Sequence, residues 1–121
     1  MHKLKEKYSE FFGEGYIGFD TEPGWDDLLD RLFSAIREEV KNGAEQPKVL
    51  QIKEKFGTLR FYLFGGSETI SGLVRNAEAE SACTCEICGK KGKLCVKSCW
   101  YKTLCPTHAQ ENGYNYAQGY N

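Results

Sequence analysis

Two close pairs of metal-binding residues constrain this chain more than any other feature of its sequence. Cys85-Glu86-Ile87-Cys88 and Cys105-Pro106-Thr107-His108 each place two donors three positions apart, and sixteen residues separate the pairs. A close pair, a long gap and a second close pair form the layout typical of structural zinc sites. The spacing therefore predicts one structural zinc ion held by Cys85, Cys88, Cys105 and His108.

Three further cysteines leave other ligand sets open. All six cysteines lie between Cys83 and Cys105, and in a reducing compartment such crowding favours metal binding over disulfides. Cys83 can replace Cys85 as a ligand, and Cys95 or Cys99 can replace a distal one. Cys83 lies too close to Cys85 for a knuckle, and the other two fall within the connecting strands and loop. We therefore interpret the three spare cysteines as buried small hydrophobic residues.

The segment around the ligands has its own predicted architecture. Residues 93–96 and 100–104 read as two short strands, and residues 106–112 read as a helical turn with Pro106 just inside its start. A knuckle, a hairpin and a ligand-bearing helix predict a treble-clef-like zinc module over residues 83–121. The tyrosine-rich end of that segment, residues 113–121, is interpreted as a frayed terminus.

Residues 1–82 predict an α+β body with three helices. Apolar residues at helical spacing indicate a short helix over residues 4–12 and a longer one over 23–42, with Thr21 as its N-cap. Ser67 is expected to cap a third helix over residues 67–82. The apolar stripe of the long helix consists of Trp25, Leu28, Leu29, Leu32, Ile36 and Val40.

Residues 49–64 predict a β-hairpin, because both arms alternate and Phe56-Gly57 suits a two-residue turn. This turn places Ile52 opposite Phe61 on the apolar face. The remaining expected pairs are Leu50 with Leu63 on the same face, and Gln51 with Tyr62 and Lys53 with Arg60 on the other. We expect the apolar face to pack against Trp25, Leu28, Leu32 and Ile36, which gives N-terminal helices on a hairpin.

The opposite face of the hairpin carries a predicted binding surface. Like charges directly opposed on a sheet are unfavourable, so Lys53 beside Arg60 calls for a carboxylate or phosphate partner. An acid from the first helices can supply it internally. The alternative that we adopt is a partner-binding surface made of Gln51, Lys53, Arg60 and Tyr62, since Tyr and Arg are enriched in binding hot spots.

Charge is distributed unevenly along the chain. The net charge is -1, so no global attraction draws the whole molecule onto nucleic acid. Residues 1–47 are acidic, whereas the hairpin and the cysteine-rich segment are basic. Nucleic-acid binding therefore remains an alternative to protein binding, but only as a local contact. Nucleic acid would bind the basic hairpin together with the lysines of the zinc segment, which are Lys90, Lys91, Lys93, Lys97 and Lys102.

Enzymatic activity is not expected. Four protein ligands close a zinc site to the water that catalytic zinc keeps, and His2 is the one histidine that remains for acid–base work. No apolar segment is long enough to cross a bilayer, and no secretory signal is recognisable at the start. We therefore expect a cytoplasmic protein without a membrane partner.

Several motifs together resemble a family of small phage, prophage and bacterial proteins. The similarity lies in Gly24-Trp25 with Leu28-Leu29, in QIKEKFGTLRFY (residues 51–62), and in TCEICG (84–89) with KTLCPTH (102–108). No activity is assigned to that family, so the resemblance implies no catalytic residue. Small phage accessory proteins often bind and block a host protein, which makes a host protein, such as a defence protein, the expected partner by association.

Overall fold

The computed structural model describes residues 2–117 and contains helices and two small sheets, so the predicted α+β class is confirmed. The elements are α1 (Lys3–Lys7), β1 (Gly18–Asp20), α2 (Asp26–Lys41), β2 (Lys48–Lys55), β3 (Thr58–Phe64), α3 (Glu68–Ser81), β4 (Lys93–Lys97), β5 (Trp100–Leu104), α4 (Pro106–Glu111) and β6 (Asn115–Tyr116). None of the helices within residues 2–117 has the length and apolar character needed to span a bilayer.

The first sheet has three strands rather than the two of the predicted hairpin. Its order is β1-β2-β3, with β1 parallel to β2 and β2 antiparallel to β3. The added strand places Phe19 beside Ile52 and Asp20 beside Lys53. No sequence pattern predicts β1, because three residues are too few to show an alternation and parallel pairing is not local.

A β-bulge shifts the pairing of β2 with β3 by one residue from the predicted register at one end of the hairpin. Ile52 faces Phe61, Gln51 faces Tyr62 and Lys53 faces Arg60, as expected, but Leu63 faces Val49 instead of Leu50. A bulge inserts an extra residue into one strand and changes which side chain points inward. Val49 is consequently buried in the core, whereas Leu50 is only half-buried and remains outside the core cluster.

The main core lies between α2, α3 and the inner face of the first sheet. Trp25, Leu28, Leu32 and Ile36 are all buried there, as predicted. They share one cluster with Val49, Ile52, Leu59 and Phe61. The ring of Phe33 meets that of Phe61 edge-on, with centroids 5.3 Å apart, which is a favourable aromatic geometry.

Two predicted helix starts and ends differ from the structure. The first helix ends at Lys7, and a 3-10 turn over Ser9–Phe11 continues the chain. Thr21 does not cap the second helix, since a 3-10 turn over Pro23–Trp25 precedes α2 and the Thr21 hydroxyl has no hydrogen-bond partner within the described residues. The Ser67 cap is confirmed, because its hydroxyl accepts from the Ile70 N–H at 3.2 Å.

Polar contacts of Asp30 and Arg31 hold α2 against its neighbours. Asp30 accepts hydrogen bonds from the Tyr8 hydroxyl and the Lys7 ammonium, and these two bonds lower the pKa of its carboxyl. Arg31 binds Glu80 on α3. These carboxylates are therefore engaged with the neighbouring helices, and within residues 2–117 none of them forms an ion pair with the hairpin.

We expect Leu32→Ala to lower the free energy of unfolding by about 2 to 5 kcal/mol, because the side chain is buried and its truncation leaves a cavity. Chemical denaturation followed by circular dichroism measures the change. A denaturation midpoint equal to that of the wild type would contradict the placement of α2 on the sheet.

Candidate metal centre

The four predicted ligands converge on one point. Their donor atoms all lie within 4.8 Å of one another. The Cys88 and Cys105 sulfurs are 3.8 Å apart, and His108 Nδ1 lies 3.6 Å from Cys85 Sγ and 3.3 Å from Cys105 Sγ. A tetrahedron of zinc-bound thiolates and imidazole has edges of about 3.8 Å between sulfurs and about 3.6 Å between sulfur and nitrogen. The cluster can therefore hold a metal ion, with Nδ1 as the histidine donor.

Local backbone geometry places the first pair of ligands. Gly89 has a φ of +81°, a left-handed conformation that glycine adopts without strain. The turn lets the Gly89 N–H donate to the Cys85 carbonyl at 2.9 Å and the Cys85 N–H donate to the Lys90 carbonyl at 2.7 Å. The knuckle folds back on itself and brings Cys85 and Cys88 to the same side.

The start of α4 places the second pair. Cys105 is the N-cap of this helix, and its sulfur accepts from the His108 N–H at 3.4 Å. This bond is the largest of the effects that lower the pKa of the Cys105 thiol. A lowered pKa favours the thiolate, which is the form that binds metal. Helical spacing then carries the His108 ring back toward the same sulfur.

The three spare cysteines stay outside the cluster, but only one is buried. Cys95 is fully buried, and its thiol donates to the Lys93 carbonyl at 3.2 Å. Cys83 and Cys99 are exposed, so their interpretation as buried residues is wrong. Cys99 lies in the tight turn between β4 and β5, where the side chain has no core to enter.

The knuckle is docked on the body through Gly24 and Trp25. The Gly24 N–H donates to the Glu86 carbonyl at 2.6 Å, and the Trp25 indole N–H donates to the Thr84 carbonyl at 2.9 Å. A Cβ atom on Gly24 would lie 2.2 Å from the Cys85 carbonyl oxygen. Only glycine fits this contact between the two backbones.

A buried carboxylate inside the knuckle makes the next connection. Glu86 is 1% exposed, and burial raises the pKa of its carboxyl despite the opposing effects of its partners. It accepts from the Thr103 N–H at 2.9 Å and lies 3.4 Å from the Lys102 ammonium. The Thr103 hydroxyl in turn donates to the Gly57 carbonyl at 2.6 Å. Knuckle, β5 and the first hairpin turn thus form one hydrogen-bonded chain, which the sequence did not reveal.

The predicted partner surface lies on the outer face of the first sheet. Lys53 stands between Asp20 of β1 and Arg60 of β3. Within residues 2–117, neither Lys53 nor Arg60 forms an ion pair with a carboxylate, and the Arg60 guanidinium donates to the Thr58 hydroxyl instead. Gln51 is half-buried and Tyr62 is 43% exposed. The nearest acid in register is thus a strand residue and not a helix residue.

The chain matches no protein-family model, no characterised protein and no solved structure.

We expect purified protein to contain one metal ion per chain and Cys85→Ser to unfold residues 83–117. A bound structural metal can contribute on the order of 10 kcal/mol to such a segment. Elemental analysis and backbone amide spectra measure both effects. Cys83→Ser is the matched control, because it removes a cysteine outside the cluster. Full metal content in Cys88→Ser and His108→Ala would show that other residues bind the ion.

Gly24→Ala should destabilise the protein by roughly 1 to 3 kcal/mol, since the added methyl group collides with the carbonyls of the knuckle. It should also lower metal affinity in a chelator competition. Gly13→Ala is the control, because a Cβ atom there meets nothing within 4 Å. Equal effects of the two substitutions would rule out a docking role for Gly24.

Proposed function

We propose that this chain is a non-enzymatic binding protein stabilised by one structural zinc ion. The observation that carries the proposal is the convergence of three cysteines and one histidine on a single point. A thiolate-rich set suits zinc, and four protein donors leave no coordination position for a reactive water molecule. The residues that would hold the ion are Cys85, Cys88, Cys105 and His108.

The zinc module is proposed to be of the treble-clef type. Its support is the order of the elements around the ligands: a knuckle with Cys85 and Cys88, the β4–β5 hairpin, and α4 with Cys105 at its N-cap and His108 in its first turn. In this arrangement the ion would join segments whose shared apolar cluster, around Leu104 and Ala109, is small. The role of the ion would be to hold the module against the body.

The binding surface is proposed to be the outer face of the first sheet, with Gln51, Lys53, Arg60 and Tyr62. Its support is that the two adjacent cations have no carboxylate ion pair within residues 2–117 while an exposed tyrosine lies beside them. This combination fits an acidic patch on a protein partner. A host protein bound by a phage-type accessory protein in the cytoplasm is the partner that we propose.

The double substitution Lys53→Ala with Arg60→Ala tests this surface. It should abolish capture of the partner from host lysate while leaving the melting temperature within about 2 °C of the wild-type value, because two half-buried cations without a carboxylate ion pair add little stability. Affinity capture with mass spectrometry and thermal unfolding are the measurements.

The control removes the same charge elsewhere. Lys48→Ala with Arg75→Ala changes two exposed residues outside the proposed surface and should leave capture intact. A destabilised Lys53 and Arg60 variant that still captures the partner would place the binding surface elsewhere, with the acidic helix α2 as the next candidate.

A further inference from the structure

A cleft opens where the turns of the two hairpins, β2–β3 and β4–β5, meet. The turn of the first hairpin rests on the second sheet, which has the strand order β5-β4-β6. A Cβ atom on Gly57 would lie 2.6 Å from Cδ1 of Leu94 on β4. The cleft has a volume of about 730 Å³ and is lined by Lys55 and Phe56 from the first turn and by Lys97, Trp100, Tyr101 and Lys102 from the second. We call it the tip cleft.

Both turns carry a strained residue at this cleft. Phe56 has a φ of +52° and Ser98 a φ of +55°, and within residues 2–117 they are the two non-glycine residues with a positive φ. Asparagine or glycine suits such a turn position far better than a bulky aromatic residue. Phe56 is also 65% exposed, so its side chain gives little to the core in return. Strain that folding does not require is characteristic of functional positions.

The cleft presents aromatic rings to solvent. Trp100 is 69% exposed and Tyr101 is 39% exposed. The ring of Tyr101 stands at 78° to that of Phe56, with centroids 6.5 Å apart. Three rings that are not used in the core therefore surround one opening.

The charge of the tip cleft is positive. It contains three lysines and one carboxylate, Glu54, which accepts from the Gly57 N–H at 2.6 Å. The Lys102 ammonium is directed to Glu86, and the exposed Lys97 ammonium donates to the Asn112 carbonyl at 3.1 Å. Lys55 is also exposed, and its ammonium lies 5.7 Å from the centroid of the Phe56 ring. Lys55 and Lys97 belong to different hairpins, so the fold brings basic groups of the hairpin and of the metal-binding segment to one place.

We propose that the tip cleft binds single-stranded nucleic acid, with bases stacked on Phe56 and Trp100 and phosphates beside Lys55 and Lys97. An acidic peptide would satisfy the lysines but leave the exposed rings without partners. An apolar peptide would do the reverse. Each unit of an unpaired strand carries both a planar aromatic base and a phosphate, and stacking of this kind is independent of base sequence. The site is separate from the outer face of the first sheet.

The test measures binding of a fluorescein-labelled oligothymidine to the full-length, metal-loaded protein. The oligothymidine has about 12 nucleotides, a length within the range that single-strand sites occupy. We expect the logarithm of the association constant to fall with the logarithm of the salt concentration with a slope of about -1.4, the value for two phosphate contacts on a single strand. Tryptophan emission should be quenched, since Trp100 is exposed and Trp25 is fully buried.

Phe56→Asn is the decisive variant. It should lower affinity about tenfold or more, because a stacking ring is lost, while the melting temperature stays equal or rises, because asparagine tolerates the left-handed conformation. Phe64→Asn is the matched control: Phe64 is 69% exposed but lies outside the tip cleft. The affinity of the Phe64→Asn variant for the oligothymidine should remain within about twofold of the wild-type value.

Several results would overturn the proposal. They are equal binding of the matching duplex, an affinity that does not change with salt, an unaltered affinity of Phe56→Asn, or displacement of the oligonucleotide by a polyglutamate peptide as readily as by unlabelled oligothymidine. Lys53→Ala with Arg60→Ala should keep oligonucleotide binding. Failure of the tip cleft is thus distinguishable from failure of the outer-face proposal.

Discussion

The contact between the backbone of Gly24 and the backbone of the knuckle that carries Cys85 and Cys88 is the constraint on which the arrangement of this protein depends. The described part of the chain has two separate apolar clusters, one around α2, α3 and the first sheet and a much smaller one around Leu104. Close approach at Gly24 and the Trp25 hydrogen bond to Thr84 join them at one side. Since these are bonds to backbone carbonyls, they require the knuckle to hold one conformation, which the ligand cluster enforces.

The small size of the second cluster explains why a metal is expected there at all. Leu104, Ala109 and three cysteines make up its buried members, which is too little apolar surface to order about thirty residues against their conformational entropy. The buried carboxylate of Glu86 adds a cost that the Thr103 N–H and Lys102 offset only in part. Metal–ligand bonds at the cluster of three cysteines and one histidine would supply what the apolar contacts lack.

Local patterns in the sequence predict the positions of the helices and strands better than the contacts between these elements. The turn at Phe56-Gly57 sets three of the hairpin pairs by geometry alone, and the ligand pairs follow from spacing within a knuckle and within one helical turn. The strand pattern does not predict the bulge at Leu50, whose carbonyl accepts from the Ile17 N–H at 2.8 Å, in the distant segment that leads into β1. The exposure of Cys99 depends likewise on the orientation of the β4–β5 turn relative to the core, which the sequence around Cys99 does not indicate.

The two proposed binding surfaces differ in how they depend on the metal. Lys53 and Arg60 lie on strands whose inner faces belong to the main core, so this surface needs only the body. The tip cleft instead uses one turn from each hairpin, and the Thr103 hydroxyl bond to the Gly57 carbonyl sets the distance between them. Thr103 is also bonded to Glu86 within the knuckle. A short chain of hydrogen bonds therefore connects the cluster to the turn that carries Phe56, whereas Lys53 and Arg60 are held by their own sheet.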